Sequence, residues 1–241
     1  MKYSIRPIGL CEGIRDMSQW TYRWNIGTKV KSACYIWYLE GSDPVTLVDA
    51  GAQGEHFSAE FPMTTRVTLE DGLRGVRLTP DDVRLILVTH LHFDHIALAK
   101  RYRNAEFVVQ KKELEFALKP HVFSALDYRK DWFSDLKFRV VDGDTEILPG
   151  ITVLLTPGHS PGGQSIQVET AQGKAIITGF CSQLSTFTQT PFMKSKGLEV
   201  AACGLHTDCR EAYDSAVRVK KLADIIIPCH EPQFMDVVKI P

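Results

Sequence analysis

The chain has 241 residues, 44% of them hydrophobic and 24% charged, enough to bury a sizeable core and ordinary for a folded globular protein. A formal net charge of -1 supplies no basic field, so small molecules are the expected partners, with no nucleic acid and no membrane. The opening "MKYSIRPIGLCEGI" lacks a signal-peptide core, no run is long enough for a membrane span, and six scattered cysteines read as reduced thiols, which together predict a cytoplasmic protein. No linker interrupts the sequence, so a single domain over residues 1–241 is expected.

In chain order, "SACYIWYLEG" and "VTLVDAG" read as an opening hairpin turning at Gly41, Ser42, Asp43 and Pro44. "LTPDDVRLILVTH" starts with a helix signal, Thr79 as cap and Pro80 in the first turn, and runs into a buried strand. A helix is expected from Asp94 and His95 through "IALAKRY". "AEFVVQ" is a strand and "KKELEFALK" a helix, and "RVVDGDTEILPGITVLLT" holds strands separated by Asp-Gly and Pro-Gly turns. "GQSIQVE" and "KAIITG" form a later pair. "DCREAYDSAVRVKKLA" begins with Asp208 and Glu211 in a capping-box spacing and carries Ala212, Ala216, Val219 and Ala223 on one face, before "DIIIPCH" returns to strand. The mixture predicts α and β structure with buried strands.

Four apolar runs, "RLILVTH", "ITVLLTPGH", "KAIITGFC" and "DIIIPCH", each end at once in His or Cys. Strand ends of one sheet edge can converge, so these residues point to one composite site. In "THLHFDHI", His90 and His92 fall two apart on a loop and can grip one cation, while Asp94 and His95 reach a second beside it. The competing reading is a polar loop of hydrogen-bonded histidines, but three imidazoles and a carboxylate at this spacing after a strand favour metal. His159 in "TPGHSPGG" and His230 in "IIIPCHEP" join them as strand-end ligands.

"HLHFDH", "TPGHSPGG", a strand ending in "TGFC" and the terminal "PCH" resemble, in order and over nearly the whole chain, the motifs of the metallo-β-lactamase superfamily. The resemblance implies an α/β (α+β) fold, an αββα sandwich with its metals at one edge between two sheets. It implies His90, His92 and His159 around the first ion and Asp94, His95 and His230 around the second. "GLHTDCREAYDSAVRVKKLADIIIPCHEP" is similar to the carboxy-terminal stretch of acyl-homoserine-lactone lactonase-like hydrolases.

Two departures stand out. Relatives place a bridging aspartate after the glycine of the fourth motif, where this chain has Phe180; Cys181 is the candidate replacement, its thiolate favouring zinc, against the reading of a small buried hydrophobe. The lactonases also carry a tyrosine three residues beyond that aspartate, where Gln183 or Leu184 stands here; Gln183 is a candidate amide donor to substrate. His206 and Asp208 are pocket groups or, equally, surface and helix-cap residues. Phe187, Phe192 and Met193 fit core packing better than a substrate cleft, and His56 and His121 read as surface residues.

The implied activity is a hydrolase with two divalent ions, zinc foremost and iron or manganese as alternatives, in which hydroxide generated at a pKa of about 7 opens a small lactone or related ester or amide carbonyl. Asp94 is the candidate catalytic proton shuttle. Thioester and cyclic-amide hydrolysis are alternatives of the same kind; an iron-dependent sulfur dioxygenase and a metal-binding protein without catalysis are alternatives of another. A homodimer is implied by the resemblance alone.

Overall fold

The structure, a computed structural model, describes residues 2–241. Strands β1 (Ser4–Asp16) and β2 (Lys29–Glu40) pair antiparallel over nearly their whole length, and β2 turns into β3 (Thr46–Val48) at the expected hairpin. With β4 (Thr64–Thr65), β5 (Leu85–Leu87), β6 (Glu106–Gln110) and β7 (Phe138–Val141) they make a seven-stranded sheet in the order β4-β1-β2-β3-β5-β6-β7, parallel from β3 onward. A second sheet orders β8 (Thr145–Leu148), β9 (Ile151–Leu155), β10 (Gln164–Thr170), β11 (Gly173–Ile177) and β12 (Ile225–Ile227) as β12-β11-β10-β9-β8. Strand β1, at 13 residues the longest, has no counterpart among the sequence expectations. Arg6, Pro7, Gly9, Glu12 and Gly13 break up its apolar alternation.

The helices are α1 (Leu69–Gly75), α2 (Phe93–Ile96), α3 (Lys111–Leu118), α4 (Leu184–Phe187), α5 (Pro191–Ser195) and α6 (Cys209–Leu222). Alternation along the strands sorts side chains into layers. Trp37, Val48, Leu87 and Val108 meet Val153, Ile166, Val168 and Ile177 between the sheets. Their neighbours Ile36, Leu47, Ile86 and Phe107 face outward under Leu69 and Leu73 of α1 and Ala117 of α3. On the other side, α6 lays Ala216 and Val219 over Leu154 and Ile176. The result is the αββα sandwich, each fully buried aliphatic contributing about 1.5–3 kcal/mol of transfer free energy.

Two helix expectations shrink. "TPDD" forms only the 3-10 turn Pro80–Asp82, closed by Thr79 N donating to Asp82 Oδ2 at 2.7 Å. The helix through "IALAKRY" stops at Ile96, because the His95 carbonyl accepts from Ala50 N (2.9 Å) and Gly51 N (3.0 Å) instead of from the next helical turn. No described helix is long and apolar enough to cross a membrane.

Candidate metal centre

Strand β5 ends three residues before His90, β9 four before His159, and β12 three before His230, so both sheets deliver imidazoles to the same edge. Three groups of potential ligand atoms form there, each with all atoms within 4.8 Å: His90, His92 and His159; His90, Asp94 and His95; and Cys34, Asp94 and His230. In the first, the Nε2 atoms of His90 and His159 are 3.1 Å apart. Asp94 belongs to the other two, its Oδ2 lying 3.5 Å from His95 Nε2 and 3.7 Å from His230 Nε2.

Each imidazole is aimed by what its other nitrogen does. Nδ1 of His159 donates to Leu205 O at 2.6 Å, Nδ1 of His230 to Ala33 O at 2.9 Å, and Nδ1 of His95 to Asp49 Oδ2 at 2.7 Å. All three Nε2 atoms are thereby turned to the interior. Asp49 adopts the left-handed region at φ 61°, and its carboxylate also accepts from Thr89 N at 2.7 Å, a backbone cost held in place by the hydrogen bonds it allows.

A second buried carboxylate ties the two imidazole loops together. Glu113 of α3 accepts from Leu91 N (2.9 Å) in the first loop, from Gly162 N (3.1 Å) in the second, and from the Tyr128 hydroxyl (3.3 Å), whose ring abuts His92 edge-on. This close approach requires glycine, since a Cβ on Gly162 would sit 2.1 Å from Glu113 N. Gly158 is constrained likewise, by a φ of 116° and by Ala212 N, which a Cβ would meet at 2.1 Å.

Burial, reinforced by the surrounding imidazoles, holds His90 and His92 well below the usual histidine pKa, so both present neutral lone pairs. Burial opposes charge on His95 and Asp94 as well, but their mutual attraction, aided by Asp49, wins: His95 rises to about 10 and Asp94 falls below the carboxylate range. His95 Nε2 is nevertheless buried with no hydrogen-bond partner among the described residues. An orphaned ring nitrogen beside an ionised carboxylate, among neutral imidazoles, is a donor set that fits a divalent cation.

A cavity of about 420 Å³ opens onto His92 and His159, walled by Phe116, Phe123 and Leu205 and edged by His121, Asp127 and His206. His206 therefore reaches the pocket, with its Nδ1 donating to Cys203 O at 2.6 Å. His121, expected only at the surface, is both exposed and part of this wall. Gln183 does not line it: its amide donates to Lys31 O (2.7 Å) and His230 O (3.2 Å). Phe187 packs under α6 and Met193 is buried, while Phe192 is exposed against Trp24. His56 meets the Trp132 ring edge-on and enters none of the ligand groups.

Cys181, the expected replacement for the missing carboxylate, enters none of the three ligand groups; its buried side chain packs with Trp20, Cys203 and Ala212. Phe180 points into the apolar layer beneath α6, 6.3 Å from the Phe187 ring. The thiol that does join a group is Cys34, in the middle of β2. Sequence reasoning also missed Asp49 and Glu113. "VDAG" after a strand was a usable signal for the first; Glu113 sits in an ordinary amphipathic helix and carried none.

Residues 31–230 match the metallo-beta-lactamase superfamily, and the chain belongs to that superfamily. Within it, the chain is similar to lactonases. It is 33% identical over 158 residues to the N-acyl homoserine lactonase AiiA of Bacillus thuringiensis subsp. kurstaki, a stretch that spans only 60% of each chain. Over the whole fold it superposes on a quorum-quenching N-acyl homoserine lactone lactonase with a TM-score of 0.78 and 27% identity, covering 98% of this chain and 95% of that one. A second structure, an N-acyl homoserine lactone hydrolase with the product N-hexanoyl-L-homoserine bound at its catalytic metal center, gives a TM-score of 0.73 and 28% identity over 96% of this chain and 94% of that one.

Proposed function

We propose that this protein is a metal-dependent hydrolase that opens a small lactone ring, with N-acyl homoserine lactones as the first substrates to test. The observation that carries the reading is the joint placement of the converged ligand groups and the cavity, whose lining includes His92 and His159 but not His90, His95 or His230. His90, His92 and His159 would hold one divalent ion, and Asp94, His95 and His230 belong to a second position, for which zinc suits the imidazole-rich set. Bound divalent cations supply Lewis acidity toward a carbonyl oxygen and bring the pKa of water to about 7.

The chain's own residues do the rest. Phe116, Phe123 and Leu205 offer apolar surface to an acyl chain, and the polar rim of His121, Asp127 and His206 faces the head group. Asp94 is assigned the proton transfer, its carboxylate taking the proton of the attacking water and returning it to the leaving alkoxide; its membership of two ligand groups supports the role. A thioester or cyclic-amide substrate is the second reading. It is favoured by Gln183, whose amide is committed to two backbone carbonyls and so offers no donor where the lactonase resemblance implies one.

The test is metal analysis of protein purified without chelator, together with proton release on a panel of N-acyl homoserine lactones, simple lactones, thioesters and β-lactams. Bound metal with chelator-sensitive lactone opening supports the proposal. Turnover confined to thioesters or amides moves the protein to the second reading, and bound metal with no turnover on any substrate leaves a metal-binding protein without catalysis.

A further inference from the structure

We infer that Cys34 supplies a thiolate ligand from strand β2 to the cation position formed with Asp94 and His230, in place of the carboxylate that Phe180 removes. The inference rests on the reading that this edge of the fold binds divalent cations. Its starting point is geometry: Sγ of Cys34, a carboxylate oxygen of Asp94 and a ring nitrogen of His230 all lie within 4.8 Å of one another.

The placement is built in. Along β2, Ala33, Tyr35 and Trp37 face the core between the sheets, so Cys34 faces the other way, as does Ile36. There it joins a small apolar cluster with Cys11 and Met63, beside the point where α2 packs against β2 with Asp94 in its first turn. The strand is pinned to His230 at this point, Ala33 O accepting from His230 Nδ1 at 2.9 Å and Ala33 N donating to His230 O at 3.4 Å. Ligand and strand are therefore fixed by the same pair of bonds.

A buried cysteine is commonly just a small hydrophobe. Two observations weigh against that here. The neighbours of Cys34 include a carboxylate and an imidazole, and beside that carboxylate His95 Nε2 is buried without a partner. Charge gives the same answer: as ligands three imidazoles carry no charge and leave one cation uncompensated, and the second position, without a bridging aspartate, has only Asp94 as an anionic ligand. A thiolate adds the missing negative charge. Binding exchanges the S–H bond for an S–metal bond; the proton leaves to solvent and no oxidation state changes. The other nearby thiols are otherwise engaged, Cys11 with Ala52 O at 3.5 Å, Cys181 with Trp20 and Cys203, and Cys229 with Phe180 O at 3.2 Å.

The experiment is cobalt(II) substitution of the whole chain, read by absorption. Visible d–d bands count bound cobalt whatever its ligands, whereas a near-ultraviolet sulfur-to-cobalt band appears only if a thiolate is bonded. The expected result is a charge-transfer band on filling the second position, lost in both Cys34→Ser and Cys34→Ala and kept in Cys181→Ser and Cys229→Ser. The second equivalent should bind Cys34→Ser more weakly by at least the roughly 10–100-fold that losing a hydrogen-bond partner of a ligand costs, with the first unchanged. Two equivalents bound without the band, or a band that survives Cys34→Ser or vanishes only with Cys181 or Cys229, overturns the assignment. Failure to take up any cobalt overturns the metal reading itself, and this assignment with it.

Discussion

The two outer ligand groups of the site are built on opposite plans. His90, His92 and His159 are alike in chemistry, come from two glycine-rich or motif loops, and meet beneath the open cavity. Cys34, Asp94 and His230 differ in chemistry, come from β2, α2 and the end of β12, and none of them lines that cavity. One group is suited to exchanging ligands with a substrate, the other to holding charge. The contrast teaches that one edge of a fold can bring together a uniform cluster of loop imidazoles at a cavity and, beside it, a buried cluster of mixed chemistry drawn from a strand, a helix and a strand end.

The largest effects should come from breaking one half at a time. His159→Ala is expected to abolish turnover and to lose the ion of the accessible group while leaving the buried one, as counted by metal analysis. Asp94→Asn should do the reverse: most turnover lost, because the proton acceptor is gone, but the ion at His90, His92 and His159 largely kept. Equal loss of both ions in both variants would show that the halves are not separable. Glu113→Gln comes next. It replaces one carboxylate oxygen by an NH2 donor, so one of the Leu91 and Gly162 amides loses its acceptor, and each buried donor left unpaired costs about 1–3 kcal/mol. Denaturant unfolding should register this even in metal-free protein; an unchanged midpoint would mean the loops hold without the clamp.

Much of the accessible half was legible in the sequence, as were Asp94 and His230 of the buried half; Cys34 was not, for a physical reason. A loop that must bring two imidazoles to one point writes a short-range pattern, and "HLHFDH" and "TPGHSPGG" carry it within a few residues. Apolar runs likewise marked strands that fall in both sheets, but not β1, whose one proline, two glycines and charges interrupt its alternation, nor the two-residue β4. Cys34 is different: its role depends on which strand faces α2, a contact between residues 60 positions apart that no local pattern encodes. Cys181 attracted attention because it follows a strand end, yet the chain turns there so that Phe180 and Cys181 both enter packed layers. Asp49 was visible as "VDAG" but not as the partner of His95, 46 residues away.

A smaller effect separates the cavity from the ligands beneath it. Phe123 is 86% exposed at the cavity wall, so Phe123→Ala removes only part of the apolar surface open to an acyl chain. For long-chain lactones KM should rise by roughly fivefold, about 1 kcal/mol, with kcat and short-chain substrates unaffected. A fall in kcat would instead tie this wall to the chemistry.

The smallest effect tests how far the accessible half depends on its support. Asp208 caps α6, its carboxylate accepting from Arg210 N at 2.8 Å and Glu211 N at 3.0 Å, and its own amide donates at 3.0 Å to the carbonyl of Gly158, the residue before His159. Those backbone hydrogen bonds hold the Asp208 carboxyl below its ordinary pKa, favouring the ionised form in the folded chain. A depressed folded pKa gives stability that is present above the ordinary carboxylate value and lost as pH falls through the lower, folded one. Asp208→Ala should therefore lower Tm slightly at neutral pH, with the gap to the parent closing on acidification, while Asp208→Asn keeps a capping oxygen and loses the acid dependence. Because the start of α6 is bonded directly to the His159 loop through Gly158 O, the alanine variant should loosen the ion of the accessible group more than it affects the Cys34 position. Equal weakening at both positions would mean that the two halves share their support after all.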